Sequence, residues 1–182
     1  MTVSSTNRVR IIGGVHRGRI LRFPGVPGLR PTPDRVRETL FNWLGQDLAG
    51  RTTLEPYAGS GAMSFESLSR GAALAVAVDR DPRLVRALAD NGRAIGVAGL
   101  ETHRADARAF LARESRRFDV IFLDPPFGDD PWDRLLPACL RLVAEGGAIY
   151  AEAGRPLEPP AGLAVLRDGR AGQVHYHLFA PA

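Results

Sequence analysis

The segment with the clearest chemical potential is the tetrad Asp-Pro-Pro-Phe, which directly follows the short apolar run Val120–Leu123. Its members are Asp124, Pro125, Pro126 and Phe127. The apolar run predicts a buried strand of a parallel sheet, and the two prolines must end it because they donate no backbone hydrogen bond. A carboxylate and a proline carbonyl are then fixed at the end of a strand. This arrangement predicts a binding corner for a group that carries hydrogens on nitrogen.

An exocyclic amine of a nucleobase suits this corner. Its nitrogen is a poor nucleophile because the lone pair is conjugated with the ring, and two acceptors around its hydrogens would draw it toward tetrahedral geometry. The side chain of Asp124 and the carbonyl of Pro125 supply those acceptors on a rigid backbone, which is the pre-organisation that methyl transfer exploits. Phe127 can stack on the base, a contact typically worth ~1 to 3 kcal/mol. The tetrad therefore predicts methyl transfer to a nucleobase amine.

Other strand ends carry residues that suit a nucleotide-like cofactor. The run 58–62 contains Gly59 and Gly61, which let the backbone approach a ligand at a helix N-terminus. Asp79 can accept hydrogen bonds from both hydroxyls of a ribose, and Asp106 could accept from an adenine amino group or cap a helix. These features fit a dinucleotide as well as S-adenosylmethionine. The tetrad favours S-adenosylmethionine because it indicates methyl transfer.

The order of the predicted elements would bring these strand ends to one edge of a sheet. From residue 52 the apolar runs TLEPYAG, ALAVAVD, FDVIFL and GAIYAE alternate with helical patterns such as AMSFESLSRG and PRLVRALADNGRAIG. This alternation predicts a mostly parallel sheet with helices on both faces. The last two runs, LAVLRD and GQVHYHLF, have no helix between them, so the last strand should be antiparallel. His175 and His177 are expected to be surface polar residues rather than metal ligands.

Positive charge is concentrated at the N-terminus. Residues 1–38 carry eight arginines and two acids, whereas residues 39–182 carry sixteen arginines and eighteen acids. Such asymmetry indicates a surface that contacts nucleic acid, although a merely solvated basic face would have the same composition.

A β-hairpin is predicted for the basic segment from the runs RVRIIGG and RGRILRF. Arg17, Arg19 and Arg22 fall on its returning part and are the expected RNA contacts. A helix should follow the hairpin, with Thr32 as its N-cap. We therefore expect a basic extension over residues 1–31 and a main domain over residues 32–182.

The composition excludes several classes of protein. All 24 basic residues are arginine, which excludes a Walker phosphate loop, a Schiff-base enzyme and a lysine general base. No apolar run approaches the roughly 20 residues that span a bilayer, and the N-terminus lacks the apolar centre of a signal peptide. The single cysteine, Cys139, lies in an apolar helical pattern and is expected in the core. We expect a cytoplasmic protein without a metal site or a membrane partner.

Longer blocks of sequence resemble one family. RIIGGVHRGRILRFP, LRPTPDRVRETLFNWL, AGSGAMSFESLSRGA, DPPF and GQVHYHLF occur in the order and spacing of the RsmD family, the 16S ribosomal RNA guanine-N2-methyltransferases. DPPF also looks like the DPPY/F tetrad of amino-group nucleic-acid methyltransferases. The resemblance implies a Rossmann-like class I methyltransferase fold with a seven-stranded sheet. It also implies S-adenosylmethionine as cofactor and 16S rRNA as substrate, within an assembled or assembling 30S subunit.

The resemblance also implies roles for single residues. Cofactor-binding positions would be Glu55, Gly59 and Gly61 around the methionine portion, Asp79 at the ribose, and Asp106 with Ala107 at the adenine. The tetrad from Asp124 to Phe127 would hold the guanine. This chain departs from the family's usual strand end, LDLFAGSG, by carrying LEPYAGSG, so Pro56 is expected to alter how that strand approaches the cofactor.

Alternative functions stay open on the sequence. DPPF would also serve an adenine-N6 methyltransferase acting on DNA or RNA, although 182 residues leave little room for a separate DNA-recognition domain. A non-catalytic RNA-binding protein of ribosome assembly could keep the same fold, although it would not need Gly59, Asp79 and Asp124 together. A C5-pyrimidine methyltransferase would need a nucleophilic cysteine at a strand end, where Cys139 is not expected.

Overall fold

The computed structural model describes residues 6–128 and 130–182. From residue 52 onward strands alternate with helices, as the sequence predicts, up to an antiparallel pair at the end. Over all the described residues, the elements are β1 (Thr6–Arg10), β2 (Ile20–Pro24), α1 (Asp34–Trp43), β3 (Thr52–Glu55), α2 (Ala62–Ser69), β4 (Leu74–Asp79), α3 (Pro82–Ile95), β5 (Leu100–Arg104), α4 (Ala107–Arg113), β6 (Phe118–Leu123), α5 (Trp132–Leu140), β7 (Val143–Ala153), β8 (Leu163–Ala171) and β9 (Val174–Pro181).

The main sheet has seven strands in the order β5-β4-β3-β6-β7-β9-β8. The pairs among β3 to β7 are parallel, whereas β9 pairs antiparallel with both β7 and β8. This confirms the predicted mostly parallel sheet with an antiparallel last strand. The chain builds outward on one side of β3 through β4 and β5, then crosses to β6 on the other side. Ligands of open α/β sheets bind beyond the carboxyl ends of the strands at such a crossing point.

Helices cover both faces of the sheet and bury two apolar layers. One layer lies between the strands and α4 with α5, and includes Leu111, Leu136 and Cys139. Burial raises the pKa of the Cys139 thiol to about 12, so this residue is an inert core side chain, as expected. The other layer lies between the sheet and α1 with α2, and includes Leu40 and Phe41. Because both faces are apolar, the central strands read as continuous hydrophobic runs.

The hairpin of β1 and β2 packs directly on the main domain. Its buried side chains form one cluster with α2 and α3, which contains Val9, Ile11, Leu21, Phe23, Phe65, Leu84 and Leu88. Gly14 touches the end of α2 so closely that a Cβ would lie 1.9 Å from the carbonyl oxygen of Ser69, and its φ of 74° also requires glycine. The segment that connects β1 to β2 is therefore held against α2.

A buried carboxylate joins the hairpin to two helices. Glu66 of α2 is fully buried and accepts hydrogen bonds from the backbone N–H groups of Ile12 and Gly13, at 2.9 and 2.8 Å. Its two oxygens also contact Arg37 of α1 at 3.3 Å and Arg70 at 3.0 Å. Four donors from three separate parts of the chain thus converge on one side chain, so the position of the basic extension should depend on Glu66.

Two expectations about polar residues are wrong. Thr32 is not the N-cap of α1; Pro33 holds that position, and the Thr32 hydroxyl instead donates to Glu152 at 2.7 Å. His177 is not a surface residue, because only 4% of it is exposed and it accepts a hydrogen bond from the backbone N–H of Leu157 at 3.1 Å. In both cases the partner lies on a distant segment, which local sequence patterns do not identify.

Candidate functional site

A cavity of about 830 Å³ opens where the carboxyl ends of the central strands meet. It lies beyond β3, β4 and β6, on both sides of the crossing point of the sheet. Most of the site residues expected from the sequence line it: Glu55, Gly59, Asp79, Asp106, Ala107, Asp124, Pro125, Pro126 and Phe127. Gly61 is not on the wall, but it lies between the lining residues Ser60 and Ala62. The arginines of the hairpin are elsewhere.

The turn between β3 and α2 is held by backbone contacts to an acid on the next strand. Gly59 and Gly61 have φ values of 53° and 76°, which side chains disfavour. The N–H of Gly59 donates to one oxygen of Asp79 at 2.9 Å, and the N–H of Asp81 donates to the other at 2.9 Å. A carboxylate has about four acceptor positions, so Asp79 keeps capacity for ligand hydroxyls on the cavity wall.

Asp106 has two roles in this geometry. Its side chain caps α4 by accepting from the N–H of Ala109 at 3.0 Å, the alternative that the sequence left open. It also lines the cavity beside Ala107, the first residue of α4. The cap fixes its position, and its second oxygen can still meet a ligand.

Glu55 is a buried carboxyl at the end of β3. One of its oxygens accepts from the N–H of Ser64 at 3.0 Å and from the Ser64 hydroxyl at 2.5 Å. Burial raises its pKa from 4.5 to about 7, against the opposing effect of the Ser64 hydrogen bonds. Burial makes ionisation of the Glu55 carboxyl costly, and a nearby cation would make its ionisation favourable. Glu55 therefore suits the positively charged part of a ligand.

The raised pKa of Glu55 predicts how stability depends on pH. The folded chain holds its proton up to a higher pH than the unfolded chain, so the stability of the wild type falls as pH rises from 4.5 through 7. Glu55→Gln cannot lose a proton, and should raise the ligand-free unfolding free energy by up to roughly 3 kcal/mol at pH 8 but not at pH 4. Urea denaturation at both pH values measures this. The matched variant of an exposed residue, Glu38→Gln, should change the unfolding free energy little at either pH. If Glu55→Gln raised the unfolding free energy equally at both pH values, the raised pKa of Glu55 would be contradicted.

Three further polar residues on the wall belong to a network that the sequence did not reveal. Glu152 lies near the end of β7, and its Oε1 accepts from the hydroxyls of Thr32 at 2.7 Å and Tyr150 at 2.8 Å. Leu123 pairs with Ala151, so Asp124 comes directly beside Glu152 across the parallel pair. The signal was present in GAIYAE, where an acid ends an apolar strand just as Asp79 and Asp124 do.

Asp124 is in an unusual state for a carboxyl group. No donor to its side chain occurs among residues 6–128 and 130–182, whereas Glu152 and Glu55 lie close enough to repel its charge. Burial, then Glu152, then Glu55 raise the pKa of Asp124 well above its ordinary value. Burial also raises the pKa of Glu152, while the hydrogen bonds from Thr32 and Tyr150 oppose that shift. The site therefore lacks hydrogen-bond donors at Asp124, and a ligand that donates hydrogens would supply them.

Phe127 stands at the mouth of the cavity with 68% of its surface exposed. Its ring passes close to Gly154, where an added Cβ would approach it to 3.4 Å. The exposed ring is thus available to stack on a planar group at the mouth of the cavity, beside Asp124 and Pro125.

The basic side chains of the hairpin lie outside this cavity. Arg22 is on β2, whereas Arg17 and Arg19 lie in the connection before it, and all three are exposed. Arg19 donates to the carbonyl of Ala94 at 3.0 Å. In the described ranges, 6–128 and 130–182, no three potential ligands come together as a metal site, and none of the helices is both long and apolar enough to cross a bilayer.

Comparison of the sequence with known proteins finds a matching family model and relatives that share one name. A family model described as "Conserved hypothetical protein 95" matches residues 9–180. The chain is 38% identical over 186 residues to "Ribosomal RNA small subunit methyltransferase D" of Escherichia coli K12, which covers 97% of this chain and 91% of that protein. It is 34% identical over 190 residues to the protein of the same name from Haemophilus influenzae, with 98% and 96% covered.

Solved structures agree with these relatives. "Putative methyltransferase yhhF" from E. coli matches with a TM-score of 0.86 and 37% identity, covering 96% of this chain and 98% of that one. The T. thermophilus "16S rRNA N2 G1207 methyltransferase (RsmC) in complex with AdoMet and Guanosine" matches with a TM-score of 0.74 and 22% identity, covering 100% of this chain and 51% of that one, which shows a shared fold. The sheet order and these neighbours identify a Rossmann-like class I methyltransferase fold. With the family model and the close relatives, they show that the chain belongs to the RsmD family, which matches the expectation from its sequence blocks.

Proposed function

We propose that the protein uses S-adenosylmethionine to methylate the exocyclic N2 amine of a guanine in 16S rRNA, within an assembled or assembling 30S subunit. One observation carries the proposal: the tetrad from Asp124 to Phe127 forms the cavity wall next to the glycine turn. The names of the relatives, "Ribosomal RNA small subunit methyltransferase D", support RNA of the small subunit as the substrate. The T. thermophilus neighbour was solved in complex with guanosine, and its likeness to this chain is one of fold.

The cavity fits S-adenosylmethionine in its chemistry. The carboxyl of Glu55 would face the positively charged methionine portion, near the turn formed by Gly59 and Gly61. Asp79 would accept from the ribose hydroxyls, and Asp106 with Ala107 would border the adenine. A volume of about 830 Å³ leaves room for a base beside the cofactor, because ligand sites of single drug-sized molecules begin near 300 Å³.

The residues of the tetrad would prepare the guanine for reaction. Asp124 and the Pro125 carbonyl accept from the two hydrogens of the amine, and Phe127 stacks on the ring so that the nitrogen points into the cavity. When bound there, S-adenosylmethionine would supply an electrophilic methyl group for the nitrogen, and its sulfur would leave as a neutral thioether. The amine then loses one hydrogen as a proton, and the carboxylate of Asp124 is placed to accept it.

The basic hairpin is the proposed RNA contact surface. Arg17→Ala combined with Arg19→Ala should weaken RNA binding. It should also make the slope of log K against log salt less negative by about 1.4 to 1.8, because two fewer arginines release counterions from phosphates. Titration of a fluorescent small-subunit RNA fragment at several salt concentrations measures the slope. Arg167→Ala combined with Arg170→Ala, on the edge strand β8, removes the same charge and should leave the slope unchanged. If both pairs change the slope equally, the hairpin is not a specific contact surface.

Nucleoside analysis of rRNA from a strain that lacks the gene tests the proposed function. Mass spectrometry of nuclease fragments should show that one N2-methylguanosine of 16S rRNA has become guanosine, and the fragment locates the target. Expression of the wild-type chain should restore the modification. Loss of N6-methyladenosine instead would indicate the adenine-N6 alternative, and an unchanged set of modified nucleosides would favour a non-catalytic assembly protein.

A further inference from the structure

We infer that Glu152 determines the specificity for guanine, by accepting the N1–H of the base through Oε2 while Asp124 accepts from the neighbouring amine. This inference rests on the proposed function and adds a residue to it. Glu152 comes from a different strand than the tetrad, but the register of β6 and β7 places it beside Asp124. It lines the same cavity.

The hydrogen bonds of Glu152 leave one oxygen available. The hydroxyls of Thr32 and Tyr150 both reach Oε1, and no donor to Oε2 is found across the described residues. Oε2 is not sealed in protein, since among those same residues Thr53 Oγ1 is the one fully enclosed side-chain polar atom that lacks a partner. An open acceptor on an otherwise buried side chain therefore borders the cavity.

The charge state of Glu152 suits an acceptor. The hydrogen bonds from Thr32 and Tyr150 favour its ionised form, whereas Asp124 has no such donors and its pKa is raised further by the charge of Glu152. When two adjacent carboxyl groups share one proton, the one with fewer donors retains it. Glu152 is then the carboxylate of the pair before a base binds. Hydrogen bonds from the guanine amine to Asp124 would favour release of the Asp124 proton to solvent, which leaves the carboxylate that later accepts a proton from the methylated amine.

The two purines differ at the atom that Glu152 would meet. Guanine carries hydrogens on both N1 and the exocyclic nitrogen, so its edge presents adjacent donors to the adjacent acceptors Glu152 and Asp124. Adenine has an unprotonated N1 next to its amine, and that lone pair would face the Oε2 carboxylate. A buried acceptor that meets a lone pair loses its hydrogen bond and is repelled, which costs more than a missing contact.

An analogue separates this role from a general effect on activity. 2-Aminopurine keeps the exocyclic amine of guanine, but its N1 carries no hydrogen. Once the target nucleotide is mapped, ligated 16S rRNA with guanine or 2-aminopurine at that position can be assembled into particles. Single-turnover methyl transfer then gives a guanine to 2-aminopurine rate ratio, which should be at least about 100 for the wild type.

Glu152→Gln should change that ratio. The amide oxygen can accept from Thr32 and Tyr150, which turns the NH₂ group toward the cavity, where it opposes guanine N1–H and suits the N1 of 2-aminopurine. The ratio should fall at least tenfold, roughly the effect of one buried polar mismatch. Differences in intrinsic reactivity between the two bases cancel, because the same pair is compared in both enzymes.

Two more variants keep the test decisive. Glu152→Asp retains a carboxylate and should keep the preference for guanine at a lower rate, and Glu145→Gln makes the same chemical change at an exposed position of β7 and should leave the ratio unchanged. The inference is overturned if the wild type methylates 2-aminopurine as readily as guanine, or if Glu152→Gln slows both bases equally. If the wild type forms no N2-methylguanosine on the guanine particle, the proposed function fails, and the inference with it.

Discussion

Asp124→Ala is expected to lower single-turnover methyl transfer by roughly two to three orders of magnitude, the usual scale for losing one pre-organised polar contact to a reacting group. The change removes one of the two acceptors around the amine but leaves the turn at Gly59 and the carboxyl of Asp79 in place. Binding of S-adenosylmethionine, measured by calorimetry, should therefore persist while transfer of its labelled methyl group to 30S particles slows.

The stability of the Asp124→Ala variant distinguishes a catalytic role from a structural one. Burial and the charges of Glu152 and Glu55 make this carboxyl costly to ionise, and the described part of the chain offers its side chain no donor. Its removal should leave the melting temperature unchanged or higher, whereas most buried polar substitutions lower it. Asp124→Asn is the matched control, because it keeps an acceptor oxygen of the same size and should be less impaired. Near-normal transfer by Asp124→Ala would contradict the mechanism.

Glu66→Ala is expected to be the most destabilising single change among those considered. It would remove the acceptor of the N–H groups of Ile12 and Gly13, and the buried carboxylate that pairs with the Arg37 and Arg70 side chains. Breaking a buried ion pair by removing one partner typically costs about 3 to 5 kcal/mol. Chemical denaturation should show a loss of this size in the free energy of unfolding.

A surface residue provides the control for Glu66. Asp90 of α3 also contacts two arginines, Arg86 and Arg93, but its side chain is 54% exposed. Asp90→Ala should change the unfolding free energy by less than about 1 kcal/mol, because exposed ion pairs contribute little. If the two variants lose equal stability, the buried position of Glu66 does not matter, and the hairpin is not anchored through it.

Local patterns in the sequence were sufficient for most of the fold. The runs ALAVAVD and FDVIFL became β4 and β6 because strands buried on both faces are apolar throughout, and the glycine turn and the proline pair mark where β3 and β6 end. Since parallel strands present their carboxyl ends at one edge, the sequence also placed Glu55, Asp79 and Asp124 around one cavity.

What the sequence did not reveal depends on contacts between distant segments. Thr32 and Glu152 lie 120 positions apart, and Thr32 fits an N-cap pattern that local reasoning prefers. Glu66 looks like an ordinary exposed acid on a helix until the hairpin and Arg37 fold against it. The partners of Thr32 and Glu66 could not be identified without the tertiary structure. The acid at the end of GAIYAE, Glu152, could however have been predicted as a site residue from its place at a strand end.

Product analysis of one transfer reaction tests whether Asp124 prepares a guanine amine for methylation. Particles purified from the deletion strain are mixed with S-adenosylmethionine carrying a labelled methyl group and an excess of wild-type or Asp124→Ala protein, and the rRNA is digested to nucleosides. We expect label in N2-methylguanosine, formed roughly 100 to 1,000 times more slowly by the variant. Label in N6-methyladenosine, no transfer by the wild type, or equal rates for the two proteins would contradict it.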